Sequence, residues 1–135
     1  MKAAILIFIT TILLYSACIR NNKSSAFGLI KICSSQDSTC KSTHNTFDKH
    51  EQNIYANIDL TSFVSNDVIK ASWQYYNGDN FYEIFTQTQQ YKLGELSMRF
   101  TLEKPASGWP LGKYNVMFTL NANKENVKVC PFEIK

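Results

Sequence analysis

Apolar and polar residues alternate with a period of two along most of the chain beyond residue 26, the pattern of strands that bury one face. Ile54, Ala56, Ile58 and Leu60 alternate with Tyr55, Asn57 and Asp59; Ile69, Ala71 and Trp73 alternate with Lys70, Ser72 and Gln74. Met98, Phe100 and Leu102 are interleaved with Ser97, Arg99, Thr101 and Glu103, and Tyr114, Val116, Phe118 and Leu120 with Asn115, Met117 and Thr119. Phe27 to Ile32, Phe81 to Phe85 and Val127 to Ile134 are the remaining apolar runs of strand length. Asn77-Gly78-Asp79 and Asn121-Ala122-Asn123 carry turn chemistry between them. Strands with one apolar face each can bury those faces only against one another. The pattern therefore predicts an all-β, antiparallel sandwich of about seven strands over residues 27–135, with Trp73 and Tyr114 in its core. Pro131 interrupts the last strand, and the apolar phase changes there from Val127 and Val129 to Phe132 and Ile134. Proline cannot donate to a ladder, so a bulge or an edge position is expected at that point.

The first residues obey a different pattern. Lys2 precedes an uncharged, mostly apolar run from Ala3 to Leu14, with only Thr10 and Thr11 polar, and the chain turns polar at Arg20, Asn21, Asn22 and Lys23. A basic start followed by about a dozen apolar residues is the layout of a secretion signal, well short of the roughly 20 residues of a spanning helix. A signal peptide is expected over residues 1–17. Its end, Ser16-Ala17-Cys18, resembles the lipobox of bacterial lipoproteins, although Tyr15 stands where an aliphatic residue is usual. The resemblance implies diacylglycerol on Cys18, further acylation by a chain such as palmitate, and residues 18–26 as a short tether. Each buried methylene contributes about 0.8 kcal/mol, and two or more chains hold a protein stably on a bilayer. The expected location is the cell envelope, lipid-anchored to a membrane, and the outer one in a cell that has one, because Ile19 rather than Asp follows the cysteine.

Two further segments carry a resemblance. Gly108-Trp109-Pro110-Leu111-Gly112-Lys113-Tyr114-Asn115-Val116 resembles the penultimate strand of immunoglobulin-like and fibronectin-like domains, with Trp73 where such sandwiches bury a tryptophan. The order of motifs, from Thr46-Phe47 through Ile54-Tyr55-Ala56 and Trp73 to Trp109-Pro110, is similar to uncharacterised bacterial lipoproteins with one immunoglobulin-like domain. That likeness implies a fold and a compartment and no activity.

Charge and composition narrow the function by exclusion. The balance of 14 basic against 11 acidic residues leaves +3, scattered rather than clustered, which argues against nucleic acid. Cys33, Cys40, His44 and His50 could in principle hold zinc, but the cysteine spacing is wide and an exported chain meets oxidising conditions, where thiols pair. No metal site and no cofactor are therefore expected. Ser42, His44 and Asp48 share one loop, which offers neither rigid positioning nor an oxyanion hole, and no nucleophile-elbow or phosphate-loop motif occurs. No catalytic residues and no small-molecule substrate are assigned, and the chain is read as not an enzyme. With Cys18 acylated, three thiols remain. A Cys33–Cys40 disulfide is favoured because it closes a short loop, Cys33–Cys130 and Cys40–Cys130 are the alternatives, and Cys130 is expected as an apolar thiol in the core. Trp73, Tyr75, Tyr76, Phe81, Tyr82 and Phe85 form an aromatic group: Trp73 shares the inward phase of Ile69 and Ala71 and is read as core, Tyr76 and Tyr82 have the opposite phase and could be exposed, and strand propensity accounts for such aromatics without a carbohydrate or peptide platform. The function expected is a membrane-anchored binding or interaction module with an envelope protein as partner; the alternative is a structural or protective surface protein with no dedicated ligand.

Overall fold

The computed structural model describes residues 18–21, 27–60 and 63–135. Nine strands lie among them: β1 (Ile19–Asn21), β2 (Ile30–Ser34), β3 (Thr46–Phe47), β4 (Asn53–Asp59), β5 (Val68–Tyr76), β6 (Phe81–Gln90), β7 (Ser97–Glu103), β8 (Gly112–Leu120) and β9 (Asn123–Ile134), with a 3-10 turn at Ser35–Asp37. One sheet runs β1-β9-β8-β5-β6, with β3 added in parallel on β9; the other runs β2-β4-β7. The fold is an antiparallel immunoglobulin-like sandwich, all-β as the alternation predicts, and each of the seven sequence-derived strands is present. The chain passes between the sheets from β4 to β5, from β6 to β7 and from β7 to β8, and on either side of β3, while β5–β6 and β8–β9 are hairpins within the larger sheet.

The inward phases meet as an aromatic core. Trp73 is fully buried and lies edge-on to Phe132 at 6.1 Å, while Tyr114 stacks on the same ring at 5.2 Å. Phe100 and Phe118 join the two sheets at 5.6 Å. At the entry to β8 the Tyr114 hydroxyl donates to the Pro110 carbonyl at 2.5 Å, the tyrosine corner of immunoglobulin-like folds. Burial pushes that phenol's pKa well above its ordinary value, so it stays a donor at every physiological pH. The β5–β6 turn places Gly78 at φ +102°, a conformation that penalises any side chain. The β8–β9 connection is a two-residue turn with Asn121 and Ala122 at φ 51° and 55°. Asn121 secures it by accepting from the Val68 amide and donating to the Asp67 carboxylate, both at 2.8 Å.

Two short strands are not legible in the alternation. β3 follows a hydrogen-bonded loop and lies parallel to β9, Thr46 opposite Glu133. β1 pairs antiparallel with β9, Ile19 opposite Val129, so these residues are a sheet strand where a free tether was expected. Both occupy the outer edge of β9, and Pro131 falls between their contact ranges, where neither needs its missing N–H. The register shifts lie elsewhere, at Trp73/Gln74 and Thr119/Leu120. The sequence-derived signal peptide, residues 1–17, lies outside the described residues. No helix among the described residues is long and apolar enough to cross a membrane.

The cysteines require a correction. Cys33 and Cys40 are joined, Cα atoms 5.5 Å apart, across the turn that follows β2. Cys130, expected as a packed thiol, is instead bonded to Cys18, Cα atoms 4.2 Å apart. β1 sets this up by placing Ile19 opposite Val129, which leaves Cys18 facing Cys130 across the strand pair. A sulfur in a disulfide has no valence left for a thioether. Lipidation of Cys18 and this disulfide exclude each other, and the structure carries the disulfide.

Candidate functional site: an aromatic groove on the open flank

The larger sheet is wider than the smaller one, so β6 overhangs the core on the side where β7 ends the three-stranded sheet. Two glutamines on the inner face of β6 close the lower half of this flank. The Gln87 Oε1 accepts from the Trp73 indole at 3.3 Å and from the Thr101 amide of β7 at 3.1 Å. Gln89 donates through Nε2 to the Arg99 carbonyl at 2.6 Å. Farther along β6 the inner residues are aromatic and aliphatic, too apolar to bridge, and the sheets part. A groove of about 530 Å³ opens there, walled by Tyr82, Ile84 and Phe85 on one side and by Thr101 to Pro105 on the other, with Tyr75, Trp109 and Tyr114 at its base.

Local sequence explains the rigidity of this base. Trp109 sits in the β7–β8 loop, with its indole N–H donating to the Glu51 carbonyl at 2.6 Å. The Tyr75 hydroxyl donates to the Leu111 carbonyl at 2.9 Å, and its ring lies 4.9 Å from Tyr114 and 5.9 Å from Tyr82. Gly112, at φ +130°, has the Tyr75 ring beside its backbone, a place where a side chain would be strained. Phe85, Tyr82 and Ile84 remain 45%, 47% and 40% exposed, which is unusual for three large apolar residues on one strand.

The aromatic group read from sequence is thus divided. Trp73 is core; Tyr75, Tyr82 and Phe85 face the groove; Tyr76 and Phe81 pack on each other at 5.0 Å in register on the opposite face. Sequence reasoning missed Trp109, Gln87 and Gln89 as parts of this site. Trp109 carried only a strand-entry signature, and nothing marks a strand glutamine as a bridge between sheets until the facing strand is known.

The loop candidates stay local. The Ser42 hydroxyl and the Asp37 carboxylate both approach the same His44 nitrogen, Nε2, at 3.2 and 4.0 Å, whereas a catalytic base needs its two nitrogens directed at different partners. Asp48 is turned to His50, accepting from its amide at 2.7 Å and lying 2.6 Å from its Nδ1. The amide bond, then the ring, holds the Asp48 carboxyl below the usual range on an exposed turn. The sulfurs of Cys33 and Cys40 are spent on each other. Glu83 accepts from the buried Ser72 hydroxyl at 2.5 Å on the outer face. Glu95 accepts from the Lys92 amide at 3.1 Å in the β6–β7 turn, and Glu103 stands at the groove rim.

No family model matches this chain, and no curated protein matches it. Among solved structures it is similar to a stretch of a β-glucosidase from Listeria innocua in complex with gluconolactone, at 14% identity and a TM-score of 0.42. The match covers 85% of this chain and 17% of that one, so the chain spans about a sixth of the glucosidase's length.

Proposed function

We propose that this chain is an exported binding module that uses the β6–β7 groove as its recognition surface. The observation that carries the reading is the groove itself: three exposed apolar side chains on a strand, over a base of rings whose positions are fixed by hydrogen bonds to backbone carbonyls. Such surface is costly to leave in water unless something covers it. Export is supported by the Lys2-to-Leu14 pattern and by two disulfides, which persist in oxidising compartments. The test is a labelled, exported protein applied to arrays of glycans and of random peptides. Wild type retains array members that the Phe85→Ser variant loses; retention of nothing, or equal retention by both proteins, refutes the groove as the recognition surface.

A membrane-anchored form is the second reading, and the Ser16-Ala17-Cys18 pattern favours it. In that form Cys18 carries lipid and Cys130 is a buried thiol. Intact mass of the exported protein decides between the two forms: the disulfide reading requires the unmodified mass with two hydrogens lost per bridge, and the anchored reading requires a diacylglycerol adduct and a Cys130 alkylated without reductant after denaturation.

A further inference from the structure

We infer that the groove takes an extended peptide, which adds as a strand to the upper edge of β7 and lays alternate side chains against Tyr82 and Phe85. This rests on the groove being a binding site and names the class of its ligand.

The backbone of β7 supplies the first argument. In an antiparallel pair, residues alternate between exchanging both hydrogen bonds with the partner strand and turning both groups away from it. The Thr101 amide is turned away from β4, because Gln87 accepts from it, and so is the Arg99 carbonyl, which accepts from Gln89. The ladder continues on the even positions, where the Lys104 amide donates to the Gln52 carbonyl. The Thr101 carbonyl and both backbone groups of Glu103 therefore point into the groove. Along the lower half of this edge two glutamine side chains substitute for a missing strand; along the upper half the same hydrogen-bonding row is open.

The side chains at the base of the groove have little hydrogen-bonding capacity left. A sugar needs several polar side-chain partners, yet the polar atoms of Tyr75, Trp109 and Tyr114 are each committed to a backbone carbonyl. What remains at the base is ring surface, and along the β7 edge a row of main-chain groups, flanked at the rim by the polar ends of Tyr82, Glu103 and Lys104. A peptide matches both, bringing its own N–H and C=O groups to the edge and an apolar side chain at every second residue to the rings.

Area selects a peptide over a second copy of this chain. The apolar side chains of β6 that face the groove, Tyr82, Ile84 and Phe85, expose roughly 250 Å² between them, taking such side chains at about 150–250 Å² each and less than half exposed. A stable dimer buries about 800 Å² on each partner, a little over half of it apolar, which is more than the groove presents. One strand's width of apolar surface suits three to four residues of an extended chain.

Phage-displayed random dodecapeptides selected on the disulfide-bonded, exported protein test this. The expected result is enrichment of peptides with apolar residues at alternate positions. Binding of a synthetic version should fall at least tenfold in Phe85→Ser, stay within twofold in the distant surface variant Leu93→Ser, and fall at least tenfold when alternate peptide amides are N-methylated. Amide hydrogen exchange at Glu103 should slow at least tenfold in the complex. Phe85→Ser must keep the wild-type melting transition, and Tyr82→Ser serves if it does not. Peptide binding that ignores N-methylation or leaves Glu103 exchange unchanged overturns strand addition. Glycan retention that depends on Phe85, with no peptide enriched, overturns the peptide while leaving the groove as a binding site. Failure of both libraries overturns the two readings together.

Discussion

The two flanks of the sandwich are finished by different means. On the β9 side the edge is covered by backbone: β1 and β3 pair with it, Phe47 packs edge-on to Phe132 at 5.8 Å, and the Cys18–Cys130 bond locks the strap. On the β6–β7 side nothing covalent crosses, and two glutamines bridge half of the gap. A free strand edge invites pairing with other chains, and proteins generally cover it or charge it. Here one edge is closed by strands and a crosslink, and the other keeps a short row of main-chain groups beside exposed rings. The closed flank is held by a crosslink and by two paired strands, and the open flank by the two glutamine bridges.

The largest expected effect comes from unlocking the closed flank. In the chain-entropy account, a crosslink over a separation of 112 residues contributes about 4–5 kcal/mol, much of a small domain's stability. Cys18→Ser combined with Cys130→Ser should lower stability by about that amount in denaturant titration, more than removing the short Cys33–Cys40 loop, expected at about 2–3 kcal/mol. Equal stability of the double variant and wild type would mean that the native chain holds no such bond.

A smaller effect is expected from the open flank. Gln87→Ala leaves the Trp73 indole and the Thr101 amide without their shared acceptor, a loss of about 1–3 kcal/mol. Faster hydrogen exchange should be confined to β7 and absent from β9. Loosening spread over both flanks would show that they form one cooperative unit rather than two differently finished edges.

The smallest effect concerns Glu83 on β6. The Ser72 hydroxyl, with help from the Lys70 charge, holds its carboxyl below the usual value. A carboxyl lowered by folding contributes stability above its unfolded pKa, about 4.3, and that contribution is lost as pH falls through the folded value. The melting temperature of wild type should therefore decline more steeply below about pH 4 than that of Glu83→Gln. Parallel profiles would show that this bond does not help hold β6 on β5.

How much of this was legible in the sequence differs by element. β4, β5, β7 and β8 were read from alternation because each buries one face, and burial of a face is itself a period-two signal. The positions of Trp73 and Tyr114 followed from the same phase. β1 and β3, with three and two residues, are too short to show a period, and their pairing depends on where β9 runs. The cysteines divide the same way: Cys33 and Cys40 are near in sequence, and their pairing could be favoured on loop length, whereas Cys18 meets Cys130 only because β1 doubles back onto β9.

The groove marks the same boundary. Its aromatic residues were visible as a cluster, since side-chain type and strand phase are local properties. Which of them would remain exposed was not, because that depends on the number of strands in the opposing sheet. Local alternation determined that this chain folds as two apolar-faced sheets, and the turn residues between its runs determined where the strands end. Tertiary structure alone decided that one sheet is wider than the other, which edge is crosslinked, and that the upper backbone of β7 is left facing a row of rings. Sheet width and edge partners are properties of the assembled whole, set by contacts between residues far apart in sequence, and no window of neighbouring residues contains them.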